Sequence, residues 1–265
     1  MATTTTMPAR PAVRLPPRSD RLFRWFRWYA GRYCRRHMHA VRLARRAPPP
    51  PLQGPAVFVT NHPSWWDPLI AFILTRLFPN RVDWGVIDAA ALKQYRFLGR
   101  AGLFGVEPDS VGGAATFLRT ALAILEDDRA SLWVMAQGRF ADVRERPAAL
   151  RAGVGHVASR LSRGSIVPVA IEVLYWDQRT PEALTAFGQP LNVAESPKRS
   201  PGEWTTAIGE RLEAVQDELA VDAMSRDPTR FETLIGGRAG VGGVYDFWRR
   251  LAAWTRGERF RPEHH

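Results

Sequence analysis

Cysteine is almost absent: Cys34 is the single one among 265 residues. That excludes a disulfide within the chain and a zinc site built on thiolates. Lysine is scarce too. Only Lys93 and Lys198 occur, so arginine carries almost all of the formal net charge of +11. No run of ~18 apolar residues is present, so no transmembrane span is expected. The N-terminus lacks the apolar core of a secretory signal. The six histidines are scattered without ligand spacing, so no metal is expected. There is no internal repeat. The length suits one large domain with additional helices. The charge suits an anionic partner, whether membrane phospholipid, an acidic cofactor or nucleic acid.

Residues 1–19 are rich in Thr, Pro and Arg and are expected to form a disordered tail. Over residues 20–46, Leu22, Phe23, Trp25, Phe26, Tyr29, Tyr33, Met38 and Val41 are interleaved with Arg21, Arg24, Arg27, Arg32, Arg35, Arg36, Arg42, Arg45 and Arg46. This pattern predicts a basic amphipathic helix. It fits a membrane interface, where rings enter the headgroup boundary and arginines meet anionic lipid. It also fits a helix packed on a core with a solvated face. The proline run at 48–51 ends the pattern as a stiff spacer.

Strand-like and helical runs then alternate. Strands are expected at 56–60, 81–87, 103–106, 131–135 and 166–174. Helices are expected at 69–77, 111–127 and 148–161, with a surface helix at 203–222. Alternation of this kind predicts an α/β layered domain, over 54–222, with a mostly parallel sheet flanked by helices. Residues 223–265 are expected to be an extension. Within it, 236–243 is glycine-rich and reads as a flexible loop rather than a phosphate cradle. Residues 247–254 repeat the aromatic–basic character of the first helix.

The central stretch is Asn61-His62-Pro63-Ser64-Trp65-Trp66-Asp67. A buried strand leads into it and Pro68 starts a helix after it, with Asp67 expected at the N-cap. On one straight helix His62 and Asp67 would point roughly 140° apart, at about 100° per residue. A strand–turn–helix can instead fold the carboxylate back onto the imidazole, giving a general base with an orienting partner. A histidine ending a strand and an aspartate capping a helix is the plainer alternative. Trp65 and Trp66 could line a pocket or pack at the sheet edge.

His62 and Asp67, with four residues between them, resemble the HX4D motif of the glycerolipid acyltransferases, the family of 1-acylglycerol-3-phosphate acyltransferases. Three later stretches follow the same order. Gln137-Gly138-Arg139-Phe140 is similar to the family's Glu-Gly-Thr-Arg block, with Gln137 in place of the acid and the arginine one position early. Ile166-Val167-Pro168-Val169-Ala170-Ile171 resembles the Val-Pro-Val-Ala strand, and Phe187-Gly188-Gln189-Pro190 the turn after it. Leu150 to Ala158 looks like the family's helix that opens with a basic residue and Gly. One block departs: Gly102-Leu103-Phe104-Gly105-Val106-Glu107 has a glutamate where the family has a phosphate-binding arginine. Arg96, Arg100 or Arg139 could substitute in space, or Glu107 could face solvent.

The resemblance implies a peripheral enzyme of phospholipid biosynthesis at the cytoplasmic face of a membrane. It would transfer a fatty acyl group from acyl-CoA or acyl carrier protein to a lyso-lipid or lipid alcohol. His62 and Asp67 would be catalytic, and Gln137, Gly138 and Arg139 would bind the acceptor. No cofactor or metal is implied. Glu107 puts a phosphate-bearing acceptor in question and leaves a glycolipid or isoprenoid alcohol open. No Gly-x-Ser-x-Gly elbow surrounds any serine. Two other classes compete. One is a lipid-binding relative without catalysis. The other is a nucleic-acid-binding protein, which the concentration of charge before Pro48 disfavours.

Overall fold

The computed structural model describes residues 13, 15–196 and 198–237. Most of the expected tail, and the glycine-rich and aromatic–basic stretches after residue 237, lie outside the described residues. The elements run α1 (Asp20–His37), β1 (Ala40–Ala44), β2 (Ala56–Thr60), α2 (Asp67–Leu74), β3 (Val82–Asp88), α3 (Ala89–Gln94), α4 (Phe97–Arg100), β4 (Leu103–Val106), α5 (Val111–Ile124), β5 (Ala130–Met135), α6 (Gly153–Ala158), β6 (Ser165–Leu174), β7 (Glu182–Phe187), β8 (Leu191–Asn192), α7 (Pro201–Ser225) and β9 (Phe231–Gly236).

The nine strands among the described residues share one sheet, in the order β4-β3-β5-β2-β6-β7-β1-β9, with β8 pairing on β6. The five strands from β4 to β6 are mutually parallel, so their carboxyl ends lie along one rim. β7 runs antiparallel to β6, and β9 antiparallel to β1. This is the expected α/β fold with a mostly parallel sheet between helices. One face packs on α1 and α2 through Phe58, Trp133, Val167 and Ile171. The other packs on α5, α6 and α7 through Val57, Val59, Leu132 and Ala170. Successive side chains of a strand point to opposite faces, which is why Val57 and Phe58 serve different cores.

Four expectations change. The helix expected over 20–46 ends at His37, and residues 40–44 are a fully buried strand. Arg42, read as part of the basic face, is buried in an ion pair with Glu182 of β7, and its Nη1 donates to Thr233 Oγ1 at 2.9 Å. The sheet therefore extends outside 54–222, through β1 before it and β9 after it. The helix expected over 148–161 shortens to Gly153–Ala158, because the chain before it is tied elsewhere. Ala148 N–H donates to Glu213 at 2.7 Å and Arg151 N–H to the Ala136 carbonyl at 2.8 Å. Its small residues pack against other helices rather than the sheet: a Cβ on Gly155 would meet Thr205 of α7, and one on Gly153 would meet Phe117 of α5. Finally, α7 is no surface helix. Ser200 and Glu203 form a capping box at its start, and Trp204, Ile208, Leu212, Val215 and Leu219 are buried along one side.

The α1/α2 core contains an ionisable group. Asp83 on β3 is buried, with Trp133 Nε1 donating to it at 3.1 Å. Burial pushes its carboxyl up to about 6, against the opposing pull of Trp133, Arg18, Arg27 and Arg81. The folded state thus holds this proton more firmly than the unfolded chain. The stability that the protonated form supplies is complete below the ordinary carboxylate range and is lost as pH rises through about 6. We expect unfolding free energy to fall by about 3 kcal/mol across that window from this group. Urea unfolding of Asp83→Asn at pH 4.5 and 7.5 should show most of the slope gone. Among the described residues no helix is long and apolar enough to cross a membrane.

Candidate active site

β2 lies between β5 and β6 at the centre of the parallel sheet. Its ladder with β6 ends at Thr60, and Asn61 prolongs it with a side chain. Asn61 Nδ2 donates to the Ile171 carbonyl at 2.9 Å, and Ile171 N–H donates to Asn61 Oδ1 at 2.8 Å. His62 is held at the rim by its own backbone. Its N–H donates to Gln137 Oε1 at 2.9 Å and its carbonyl accepts from Ala141 N–H at 3.0 Å.

The turn 63–66 then brings Asp67 back to the imidazole, with His62 Nδ1 at 2.7 Å from Asp67 Oδ2. The Asp67 side chain is fully buried, and that of His62 is 18% exposed. Ser64 fixes the carboxylate from the other side: its N–H donates to Oδ2 and its hydroxyl to Oδ1, both at 2.8 Å. A helix begins at Asp67, with Pro68 in its first turn, yet Asp67 is not the N-cap. Trp66 holds that place, because the Asp67 carboxylate is engaged by the turn rather than by the helix N–H groups. With Nδ1–H donating to Asp67, Nε2 is the ring nitrogen able to take a proton from a substrate. The Phe140 ring lies 4.5 Å from the imidazole, tilted by 43°.

The three expected acceptor-binding residues divide. Gln137 is buried and its amide oxygen accepts the His62 N–H, so it positions the histidine from below. Gly138 has φ +63°, a left-handed conformation that favours glycine, and a Cβ there would run into the Arg151 side chain. Arg139 is half-exposed, paired with Glu145, and donates to the Phe140 carbonyl at 3.2 Å. Glu107 is exposed on the loop between β4 and α5, with Ser110 Oγ at 3.5 Å. The cation packed beside Gly138 is instead Arg151, whose guanidinium meets Asp109 at 2.8 Å. Cys34 is buried and its thiol is pushed up to about 12 by that burial, which rules it out as a nucleophile near neutral pH.

An apolar cavity of about 80 Å³ lies on the α1/α2 face and reaches Pro68, the residue after Asp67. Pro68, Phe72, Trp84, Leu103 and Met135 line it, and Phe23 of α1 closes one side. Trp66 packs on Tyr33 of α1 at 5.7 Å between ring centroids, whereas Trp65 is 62% exposed beside the same tyrosine. Sequence reasoning missed Asn61, Ser64, Phe140 and Arg151. Ser64 alone carried a signal, since a hydroxyl three residues before a buried aspartate can bond it across a turn.

A known family is recognised in the same stretch of chain. Residues 35–172 match the family model described as Acyltransferase. No curated protein matches the chain. The matched segment begins inside α1 and ends in β6, so it contains the strand–turn–helix of His62 and Asp67 and the loop after β5. With just over half of its length matched, this chain belongs to the glycerolipid acyltransferase family.

Proposed function

We propose that this acyltransferase works at a membrane surface. It moves a fatty acyl group from acyl-CoA or acyl carrier protein to the hydroxyl of a lysophospholipid or related lipid alcohol. The observation that carries this reading is the 2.7 Å contact between His62 Nδ1 and a fully buried Asp67 at the rim of a parallel sheet, with an apolar cavity that begins at the next residue, Pro68. An alcohol ionises far above neutral pH and attacks a thioester poorly on its own. His62 Nε2 accepts the hydroxyl proton as the oxygen bonds to the thioester carbon, and Asp67 stabilises the imidazolium that forms. The C–S bond then breaks, and the imidazolium returns its proton to the departing thiolate. Backbone N–H groups after Gly138 are the candidates for holding the oxyanion between those steps. The apolar cavity suits the first methylenes of the acyl chain, because it starts at Pro68, next to the carboxylate.

The acceptor's head group is the open point of specificity. Glu107 stands in solvent, so the family's phosphate-binding arginine has no counterpart at that position, which leaves open an acceptor without a phosphate, such as a glycolipid or isoprenoid alcohol. Arg151 beside Gly138 favours an anionic one. Incubating the purified chain with palmitoyl-CoA or an acylated carrier protein and a mixture of lyso-lipids of different head groups decides between them. Mass spectrometry of the products should show one head-group class acylated. Thiol release without any acylated lipid would reject the reading.

α1 suits the membrane contact. Trp25, Trp28 and Tyr29 are exposed on it, among the exposed arginines Arg21, Arg24, Arg32, Arg35 and Arg36. The same helix buries Phe23, Ala30 and Cys34 against the domain, so its outer side is the one offered to lipid. Peripheral binding at the cytoplasmic face follows from this reading. Replacing Trp25 and Trp28 together by alanine should weaken binding to phosphatidylglycerol-containing vesicles about tenfold or more, as measured by co-sedimentation. Raising the salt should weaken the wild type further through the arginines.

A further inference from the structure

Two hollows approach the rim near His62 from opposite faces of the sheet. The apolar cavity is on the α1/α2 face. The other is a groove of about 550 Å³ on the α7 face. β6 around Glu172, α7 from Gln216 to Met224, and the loop bearing Val143, Arg144 and Arg146 line it, and so does Asn61, the neighbour of His62. That loop also carries Phe140, whose ring packs on the imidazole.

One residue of the lining, Gln216, has an unmet polar atom. Gln216 is more than nine-tenths buried, and its Nε2 donates to the Val143 carbonyl at 3.2 Å. Its Oε1 is buried with no hydrogen-bond partner among the described residues. Folded chains rarely leave such an acceptor without a donor, and a ligand's donor would complete it once the amide turns toward the groove. Glu172, half-buried on β6, adds a second acceptor. Arg144, Arg146 and Arg226 are cations of the lining, each steadied by a carboxylate: Asp142 at 2.7 Å, Asp217 at 2.5 Å and Asp177 at 3.0 Å. Tyr175 and Met224 add apolar surface, 66% and 75% exposed. The matching ligand has amide or hydroxyl donors along a partly apolar chain and an anionic end.

We propose that this groove binds the phosphopantetheine arm of the thioester donor, an inference that rests on the acyltransferase reading. A thioester carbonyl sits between two chains that leave it in opposite directions. With the carbonyl at His62 and the acyl chain in the apolar cavity, the carrier arm passes over the rim to the other face. The arm carries two amide N–H donors for Gln216 Oε1 and Glu172. Its dimethyl carbon suits Leu219 and Met224, and its phosphate meets the arginines. Acyl-CoA and acyl carrier protein share this arm.

Isothermal titration of the full chain with CoA, 4′-phosphopantetheine, pantetheine and a holo acyl carrier protein tests the assignment. Gln216→Leu should weaken all four by about tenfold, the effect of one buried hydrogen bond. Arg144→Ala combined with Arg146→Ala should weaken the phosphate-bearing ligands by about tenfold or more and pantetheine by less than about threefold. Met224→Trp, at an exposed position where it leaves the core intact, should fill the groove and weaken all four. His62→Ala should change none. Tighter binding of CoA than of the carrier protein names CoA as the source of the arm, and the reverse order names the carrier protein. The assignment is overturned if wild type binds no phosphopantetheine or if no groove variant shifts its affinity. It is equally overturned if octyl glucoside binding responds to Gln216→Leu while phosphopantetheine binding does not, which would give the groove to the acceptor's head group. None of these outcomes removes His62-dependent thiol release, so the acyltransferase reading stands or falls separately.

Discussion

His62→Ala is expected to lower kcat for acyl transfer by about 10²–10⁴-fold, the usual contribution of a positioned general base, with little change in KM for the donor. The backbone should survive the change. The His62 N–H bond to Gln137 and the carbonyl bond from Ala141 involve no side-chain atom of His62, and β2 is paired on both sides before the chain reaches it. Asp67 would keep both hydrogen bonds from Ser64 and lose the one to the ring. Losing one partner of a buried carboxylate costs about 1–3 kcal/mol, so a lower melting temperature with a cooperative transition is expected alongside the catalytic loss. Steady-state kinetics on the folded variant, with circular dichroism as the control, measures both.

Asp67→Asn is the second large effect. The amide has nearly the same volume, but it brings two N–H donors to a site that supplies three more. Ser64 N–H, the Ser64 hydroxyl and His62 Nδ1 all converge on the carboxylate. The amide oxygen takes the place of Oδ2, where it accepts from both Ser64 N–H and His62 Nδ1–H, and the NH₂ donates to the Ser64 hydroxyl. His62 then keeps its proton on Nδ1 but faces a neutral partner, so the imidazolium that forms loses the carboxylate that stabilises it. Activity should fall by about 10²-fold or more, and stability by about 1–3 kcal/mol as charge-assisted hydrogen bonds become neutral ones. A Ser64→Ala variant should lose far less activity, since the His62–Asp67 contact is intact in it. NMR of the imidazole nitrogens should show the Nδ1–H retained and its proton less deshielded than in wild type.

Much of this was legible before any coordinates. The run 56–60 leading into His62, and Pro68 after Asp67, indicated a strand–turn–helix able to bring the two side chains together, and the structure has that strand and helix. The parallel strands of the sheet centre are short apolar runs, the signal that a strand buried on both faces leaves behind. The other half of the sheet was hidden because its pairing is long-range. Arg42 reads as one more arginine of a basic helix until Glu182, on a strand 140 residues later, is placed beside it. β9 pairs with β1 from the far end of the chain and was taken for an extension. At the site, position in the motif was readable but direction was not. Gln137 points under the histidine rather than toward the acceptor, and Glu107 stands out in solvent. Neither orientation leaves a mark in residue spacing.

A kinetic cycle on one reaction tests most directly whether His62 and Asp67 act as a unit. Acyl transfer from palmitoyl-CoA to the preferred lyso-lipid is measured for wild type, His62→Ala, Asp67→Asn and the double variant. We expect the double variant to be no slower than His62→Ala, because the carboxylate acts only through the ring. Losses that multiply in the double variant, or transfer by His62→Ala at the wild-type rate, would contradict it.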